Sequence, residues 1–445
     1  MKIQELRHIQ AVVIGAGPSG LACAKELIKL KKKVLLIHIS ESDKFTVGGT
    51  AINWHSQCAI YEEQEFLSRN DFDKWPVSYD EYIRYVREVE KLLKVHTQVN
   101  NNEQFVEGFD GTANIQIHRV QTIVGTNKPW SDIFKQDIQN PLLEIINGDV
   151  EYLIHDQKVN GLVMRGEKKL LFDSAKIYLA AGCVGNTEIL ARSNIKILDN
   201  SKVFGKYLSD HPMFENLTFM GGNRSKFFPL FQNKKYLGIS QLNKNKYRVR
   251  VGGKVIGVFE IRHFFTKRSL LQGSRLTFVE FLKQSMNFLG QRCFNFIFFR
   301  PLESQLWIQL AQEQNPNSRI VHENQKFSVY WKLSEQDLYN YFEIRKSAEK
   351  LLEGWGFAIK NQGTIQNLED LQRLALPAYH PSGTTRMHSD ADLAVVDGSG
   401  KFIGFDNLFV CGSSVFPTPS WVNPTLTSMA LSTRTVRLSN LVEES

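Results

Sequence analysis

The first residues whose spacing could do chemistry are Gly15-Ala-Gly17-Pro18-Ser19-Gly20. Three glycines in this arrangement suit a phosphate ligand. Gly15 permits a tight turn, Gly17 has no side chain to block a pyrophosphate, and Gly20 lets a helix lie close to a sheet. The turn works only with a strand before it and a helix after it. Gln10-Ala-Val-Val-Ile-Gly15 is a short β-rich apolar run, Leu21 to Leu30 favours a helix, and Lys33 to His38 reads as a second strand. With those flanks the motif reads as the first half of a doubly wound dinucleotide fold. The helix N-terminus would then offer backbone N–H groups and the positive dipole end to the phosphates.

Two other positions carry open alternatives. An acidic residue usually ends the second strand of such a fold and holds the ribose hydroxyls. His38 stands there, and Glu41 follows. Either a ring nitrogen of His38 bonds the hydroxyl, or His38 only ends the strand and Glu41 does the work. Near the C-terminus, Asn423-Pro424 reads as a helix N-cap followed by a first helical proline, with Thr425 to Leu438 as the helix.

The 445 residues suffice for two packed units with a real core. No apolar run reaches the ~18 residues of a membrane span. Met1 to Gln10 is polar, without the apolar core of a signal peptide. Five scattered cysteines fit reduced thiols. A cytoplasmic location is therefore expected. The net charge of +8 is uneven: Gly221 to Arg300 holds 16 Lys and Arg against Glu260 and Glu280. This is either a solvated basic surface or a face for an anionic substrate or a membrane. Lys244, Lys246, Arg248 and Arg250 alternate along a strand-like stretch and would project from one face. The histidines lack paired spacing, so no metal site is expected, and no nucleic-acid module is visible.

Beyond the glycine turn, an ordered set of motifs resembles the glucose–methanol–choline (GMC) family of flavoproteins. The motifs are Gly48-Gly49-Thr50-Ala-Ile-Asn53-Trp54, Trp75-Pro-Val-Ser78-Tyr-Asp-Glu81, Leu179-Ala-Ala181-Gly182-Cys-Val-Gly-Asn186, Gly205-Lys-Tyr-Leu-Ser-Asp210-His211-Pro212 and Glu313-Gln-Asn-Pro-Asn-Ser-Arg319. A C-terminal block completes the set: Tyr379-His380-Pro-Ser-Gly383-Thr-Thr-Arg386-Met387, then Cys411-Gly412-Ser413, then Asn423-Pro424-Thr425. Ser78 with Glu81 also forms a capping box. The set is most similar to the sugar- and polyol-oxidising branch with a His/Asn pair, which includes pyranose oxidases.

The resemblance implies an α/β fold: a doubly wound, Rossmann-like FAD domain from residues 1–60, 145–215 and 376–445. An interleaved α+β substrate domain with an antiparallel sheet would come from 61–144 and 216–375. It implies that FAD lies against Gly15, Gly17, Pro18, Ser19 and Gly20, with His38 at the ribose. Gly49, Thr50, Asn53 and Trp54 would form a loop over the flavin. Ala181, Gly182, Gly412, Ser413, Pro424 and Thr425 would complete the site. In pyranose oxidases a histidine directly before the matching tryptophan bonds FAD covalently. Asn53 stands there and His55 follows Trp54, so noncovalent FAD is expected.

The resemblance also assigns the chemistry. Oxidising an alcohol removes a proton from oxygen and a hydride from carbon. His380 would be the base, since an unperturbed pKa of about 6.5 leaves imidazole largely neutral. Asn423 would orient the same oxygen, or else serve only as a helix cap. The substrate would be a small alcohol, sugar or polyol, including anionic ones, with oxygen or another electron acceptor. His211 reads as structural, orienting a turn beneath the cofactor. Redox-neutral lyase activity and a non-catalytic flavin-binding role are the competing classes.

Overall fold

The structure is a computed structural model. It describes residues 2–39, 47–53, 57–67, 71–95, 104–105, 115–120, 123–124, 128–166, 168–221, 246–251, 254–263, 303–324, 326–354, 356–361 and 365–441. Trp54, His55, Glu41 and Lys244, all singled out above, lie outside the described residues.

Strands Ala11–Ile14 and Val34–His38 are buried at every residue. A strand apolar on both faces needs cover on both faces, which is the environment of a parallel sheet. They sit in a five-stranded parallel sheet of order Leu408–Val410, Lys176–Leu179, Ala11–Ile14, Val34–His38, Leu143–Asn147. Its neighbouring strands are drawn from distant parts of the chain. The helix Pro18–Lys29 leaves the central strand with proline in its first turn, where the missing N–H costs nothing. The C-terminal helix Thr425–Leu441 packs on it and on the helix Tyr79–Leu93. One apolar core surrounds this sheet and includes Val12, Val13, Leu35, Leu36, Ile177 and Leu408. A four-stranded sheet of Lys2–Glu5, Lys168–Leu171, Val159–Met164 and Val150–His155 adjoins it.

A seven-stranded antiparallel sheet carries a second core. Its order is Phe357–Asn361, Met213–Gly221, Glu303–Leu310, Lys254–His263, Lys246–Val251, Ile115–Val120, Gln104–Phe105. Alternation decides which face is covered. Leu306, Ile308 and Leu310 are buried in the second core, with Tyr341 and Ile344 from the helix Glu335–Gly354. Trp307 and Gln309 therefore point to the opposite face. The fold is thus α/β, with a doubly wound parallel sheet and an antiparallel sheet.

Two local expectations change. Ser78 Oγ accepts the Glu81 N–H at 3.3 Å, but the Glu81 carboxylate pairs with Arg434 at 2.8 Å. A guanidinium outcompetes a single backbone N–H for a carboxylate, so only half of the capping box forms. At the C-terminal helix, the Pro424 carbonyl accepts the Ser428 N–H at 2.8 Å. Pro424 thus holds the cap position, and Asn423 lies one residue before it.

Candidate active site

The carboxyl edge of the parallel sheet gathers three turns side by side. Gly15 N–H donates to Ile37 O at 2.8 Å, Ala180 N–H to Ile14 O at 2.8 Å, and Cys411 N–H to Leu179 O at 2.8 Å. Ligands of open α/β sheets bind at this edge. The glycines have separate duties. A Cβ on Gly15 (φ +111°) would lie 2.3 Å from Ala180 O, and one on Gly20 would lie 1.8 Å from Gly15 O. These two permit close backbone packing. A Cβ on Gly17 or Gly182 would meet nothing within 4 Å. Both face open space that a side chain would fill. Pro18 and Ser19 open the helix, whose first turn holds no acid and whose Gly17 cap has no side-chain bond. Its leading N–H groups therefore face the same space, and the cradle fits a dinucleotide pyrophosphate.

Other expected residues join this cradle. A Cβ on Gly412 (φ +104°) would come 3.6 Å from Ser19 Oγ. Gly48 N–H donates to Ala16 O at 2.9 Å, and a Cβ on Gly49 would lie 3.4 Å from Gly17 Cα. The single turn Gly49–Asn53, which contains Thr50, thus folds back over the glycine turn. His38 is buried at its strand end, and burial lowers its pKa. Its ring is held neutral, able to donate at one nitrogen and accept at the other. Ala181 precedes Gly182 at the head of the helix Gly182–Arg192.

Three supporting residues stand outside the expected site set. Asn186 is fully buried. It accepts from Ala181 N–H at 2.8 Å and donates to Cys411 O at 3.0 Å and Ser414 Oγ at 2.9 Å, tying two cradle turns together. Trp130 Nε1–H donates to Ala51 O at 2.9 Å and pins the Gly49–Asn53 turn. Gln309 is described below.

The loop that carries His380 is bonded to the cradle. Ser413 Oγ donates to Pro381 O at 2.6 Å, Gly383 N–H to Ser413 O at 3.2 Å, and Thr385 N–H to Ser414 O at 2.9 Å. From the other side, Asp210 Oδ1 accepts the His380 N–H at 3.0 Å and the His211 N–H at 2.6 Å. Burial raises the pKa of Asp210, while N–H groups of His211, His380, Tyr379 and Ala378 pull it down. Tyr379 adopts φ +60° and is 80% exposed. A left-handed tyrosine costs about 1–2 kcal/mol, so the Asp210 carboxylate stabilises a strained turn directly before His380. Below the loop, Arg386 is fully buried, bonded to Gln314 Oε1 at 3.0 Å and to Phe72 O, and stacked 3.7 Å over the Phe72 ring. Burial pulls its pKa down to about 10, still far above neutrality.

The His211 ring meets that of His380 edge to face, with centroids 5.3 Å apart. Gln309 Nε2 lies 3.0 Å from His211 Nδ1 and 3.0 Å from Trp421 O, two residues before Asn423. His211, His380 and the approach to Asn423 are therefore bridged, and the C-terminal helix opens with Pro424 and Thr425.

Three cations of the basic stretch are ion-paired. Arg248 and Arg250 both pair with Glu62, and Lys254 pairs with Glu313. Beside them Glu65 is pushed up to about 8, first by burial and then by the Glu62 carboxylate.

Comparison with known proteins matches residues 322–432 to the family model described as GMC oxidoreductase. An uncharacterized GMC-type oxidoreductase of Mycobacterium tuberculosis is 34% identical over 74 residues, which span 15% of this chain and 12% of that protein. A pyranose 2-oxidase of Tricholoma matsutake is 43% identical over 53 residues, 12% of this chain and 9% of that protein. The matched segments thus cover a small part of either relative. Whole-chain similarity is structural. Pyridoxine 4-oxidase from Mesorbium loti superposes with a TM-score of 0.61 at 16% identity, over 97% of this chain and 99% of that one. A formate oxidase of Aspergillus oryzae RIB40 gives 0.65 at 13% identity, over 99% of both. Residues 322–432 thus carry the GMC oxidoreductase signature in sequence, and the whole chain shares the fold of these oxidases.

Proposed function

We propose that this chain is an FAD-dependent oxidoreductase acting on a CH–OH group of a small molecule: a sugar, a polyol or another alcohol. A ring nitrogen of His380 accepts the hydroxyl proton, and Asn423 orients the same oxygen. FAD, when bound, takes the hydride from carbon; oxygen or another acceptor completes the turnover. The observation that carries this reading is the direct bonding of the His380 loop to the cradle, Ser413 to Pro381 and Gly383 to Ser413. Any displacement between proton acceptor and cofactor is limited by those bonds, and positioning of this kind can supply ~7 kcal/mol or more of a barrier. Gly17 and Gly182 leave room for the pyrophosphate, and His38, its pKa lowered by burial, would hold the ribose hydroxyls. With Asn53 in place of a histidine, FAD is held noncovalently.

A neutral alcohol fits better than an anion. Three cations of the basic stretch, Arg248, Arg250 and Lys254, already have carboxylate partners. The segment shared with a pyranose 2-oxidase favours a sugar.

The test is anaerobic stopped-flow mixing of the yellow holoprotein with a panel of sugars and polyols. Bleaching of the flavin supports oxidation, and product without bleaching points to a lyase instead. His380→Ala should retain acid-releasable FAD yet reduce it ~10²–10⁴-fold more slowly. Equal rates in the variant and the wild type sink the assignment of His380.

A further inference from the structure

The tautomer of His211 can be read from its neighbours. His211 is 5% exposed, and Gln309 reaches it from the strand Glu303–Leu310. The Gln309 amide faces two atoms, Trp421 O and His211 Nδ1, each at 3.0 Å. A carbonyl oxygen only accepts. The Gln309 atom facing Trp421 O must therefore be the NH2 nitrogen, which fixes the orientation of the amide. The second hydrogen of that NH2 is directed at His211 Nδ1, which must present its lone pair. A neutral His211 then carries its proton on Nε2.

We propose that Gln309 and His211 are positioning residues for the proton acceptor: Gln309 holds His211 as a neutral Nε2–H imidazole beside His380, so that His380 remains basic enough to take the substrate proton. The argument is electrostatic. Protonating His211 at Nδ1 would set two donors against each other, so the Gln309 amide opposes imidazolium formation. An imidazolium whose ring centre lies 5.3 Å from that of His380 would depress the pKa of His380. The described groups facing His211 are few. Its own turn brings Asp210, whose carboxylate accepts the N–H groups of His211 and His380. The 378–380 loop brings His380, the strand brings neutral Gln309, and the segment before the C-terminal helix brings the Trp421 carbonyl that Gln309 also bonds. Asp210 is the one carboxylate of this set.

The kinetic consequence rests on the reading of His380 as base; the tautomer does not. The experiment therefore has two arms, both on FAD-loaded protein. In the first, ring-¹⁵N histidine NMR across about pH 5–8 should show His211 with a bare Nδ1, a protonated Nε2 and no titration in that range. Gln309→Leu should let His211 titrate near the ordinary histidine pKa. Gln309→Glu, which offers an acceptor in place of the donor, should move the proton to Nδ1. A wild-type His211 that is protonated on Nδ1, or that titrates with the ordinary pKa, overturns the proposal. In the second arm, log kcat/KM for flavin reduction is followed on the acidic side. One neutral ring required in the wild type gives a slope near 1. Two neutral rings required in Gln309→Leu give a slope approaching 2. A slope unchanged in Gln309→Leu, with His211 seen to titrate, overturns the coupling. If instead His380→Ala reduces flavin at the wild-type rate while the His211 tautomer stands, it is the reading of His380 that fails.

Discussion

Asn186 uses one buried side chain to tie the Ala181 turn to the Cys411–Ser414 turn, accepting once and donating twice. No apolar residue of its size can replace those bonds. Asn186→Leu leaves the Ala181 N–H without its partner, at a cost of ~1–3 kcal/mol for the unsatisfied group. The expected result is a lower urea midpoint together with faster loss of FAD on dilution, since both turns border the cradle. A variant equally stable to urea and equally yellow after dialysis refutes the clasp. Arg386 works differently at this scale. Its guanidinium is held by Gln314, the Phe72 carbonyl and the Phe72 ring, with the Asp73 carboxylate near enough to favour its charge.

At the level of elements, the glycine turn separates packing from binding. Gly17 has φ −72° and ψ 178°, an extended conformation open to any residue, and its missing Cβ faces empty space. Gly20 faces the Gly15 carbonyl at 1.8 Å. Gly17→Val is therefore expected to fold, with a melting temperature close to that of the wild-type apoprotein, yet to purify colourless. Gly20→Ala should instead push the helix Pro18–Lys29 off the sheet and destabilise by ~1–3 kcal/mol, as overpacking does. Absorbance at the flavin bands and thermal melts of the two apoproteins separate the cases. A yellow Gly17→Val protein contradicts the assignment of Gly17 to the pyrophosphate.

At the scale of the whole molecule, charge acts through long-range pairs. Glu65 is pushed up to about 8 from an ordinary 4.5, by burial first and the Glu62 carboxylate second. The folded chain keeps a proton that the unfolded chain releases above about 4.5. The stability this gives is complete below that pH and is lost as pH rises through 8. Tm should decline over this window in the wild type and decline less in Glu65→Gln, which cannot ionise; parallel Tm–pH curves contradict the shift. The pairing of Arg248 and Arg250 with Glu62 predicts a second outcome. Because these guanidinium groups share the Glu62 carboxylate and are largely buried, kcat/KM for the best substrate should change less than about twofold between low and physiological salt, where an unscreened cationic face would show a steep fall. A steep fall restores the anionic-substrate expectation.

Local chemistry was legible in the residues alone. The apolar runs before Gly15 and after Lys33 are strands because nothing polar interrupts them, and the helix between them follows from its composition and its leading proline. The ordered motifs pointed to the GMC family for the same reason: each is a short backbone requirement written in adjacent residues. The strand order that sets Gly15, Ala181 and Gly412 side by side is a different matter, because periodicity says which face of a strand is buried and nothing about which strand lies next to it. The start of the last helix, one residue later than Asn423-Pro424 suggests, depends on which carbonyl the Ser428 N–H reaches. The alternation of Lys246 to Arg250 correctly placed a strand, yet Arg248 and Arg250 share the carboxylate of Glu62, nearly two hundred residues away in the chain. The partnership of His211 with Gln309 came into view only with the tertiary structure. A histidine in a turn and a glutamine in a strand have no shared spacing, and their partnership exists because the strand Glu303–Leu310 turns Gln309 away from the second core and onto His211.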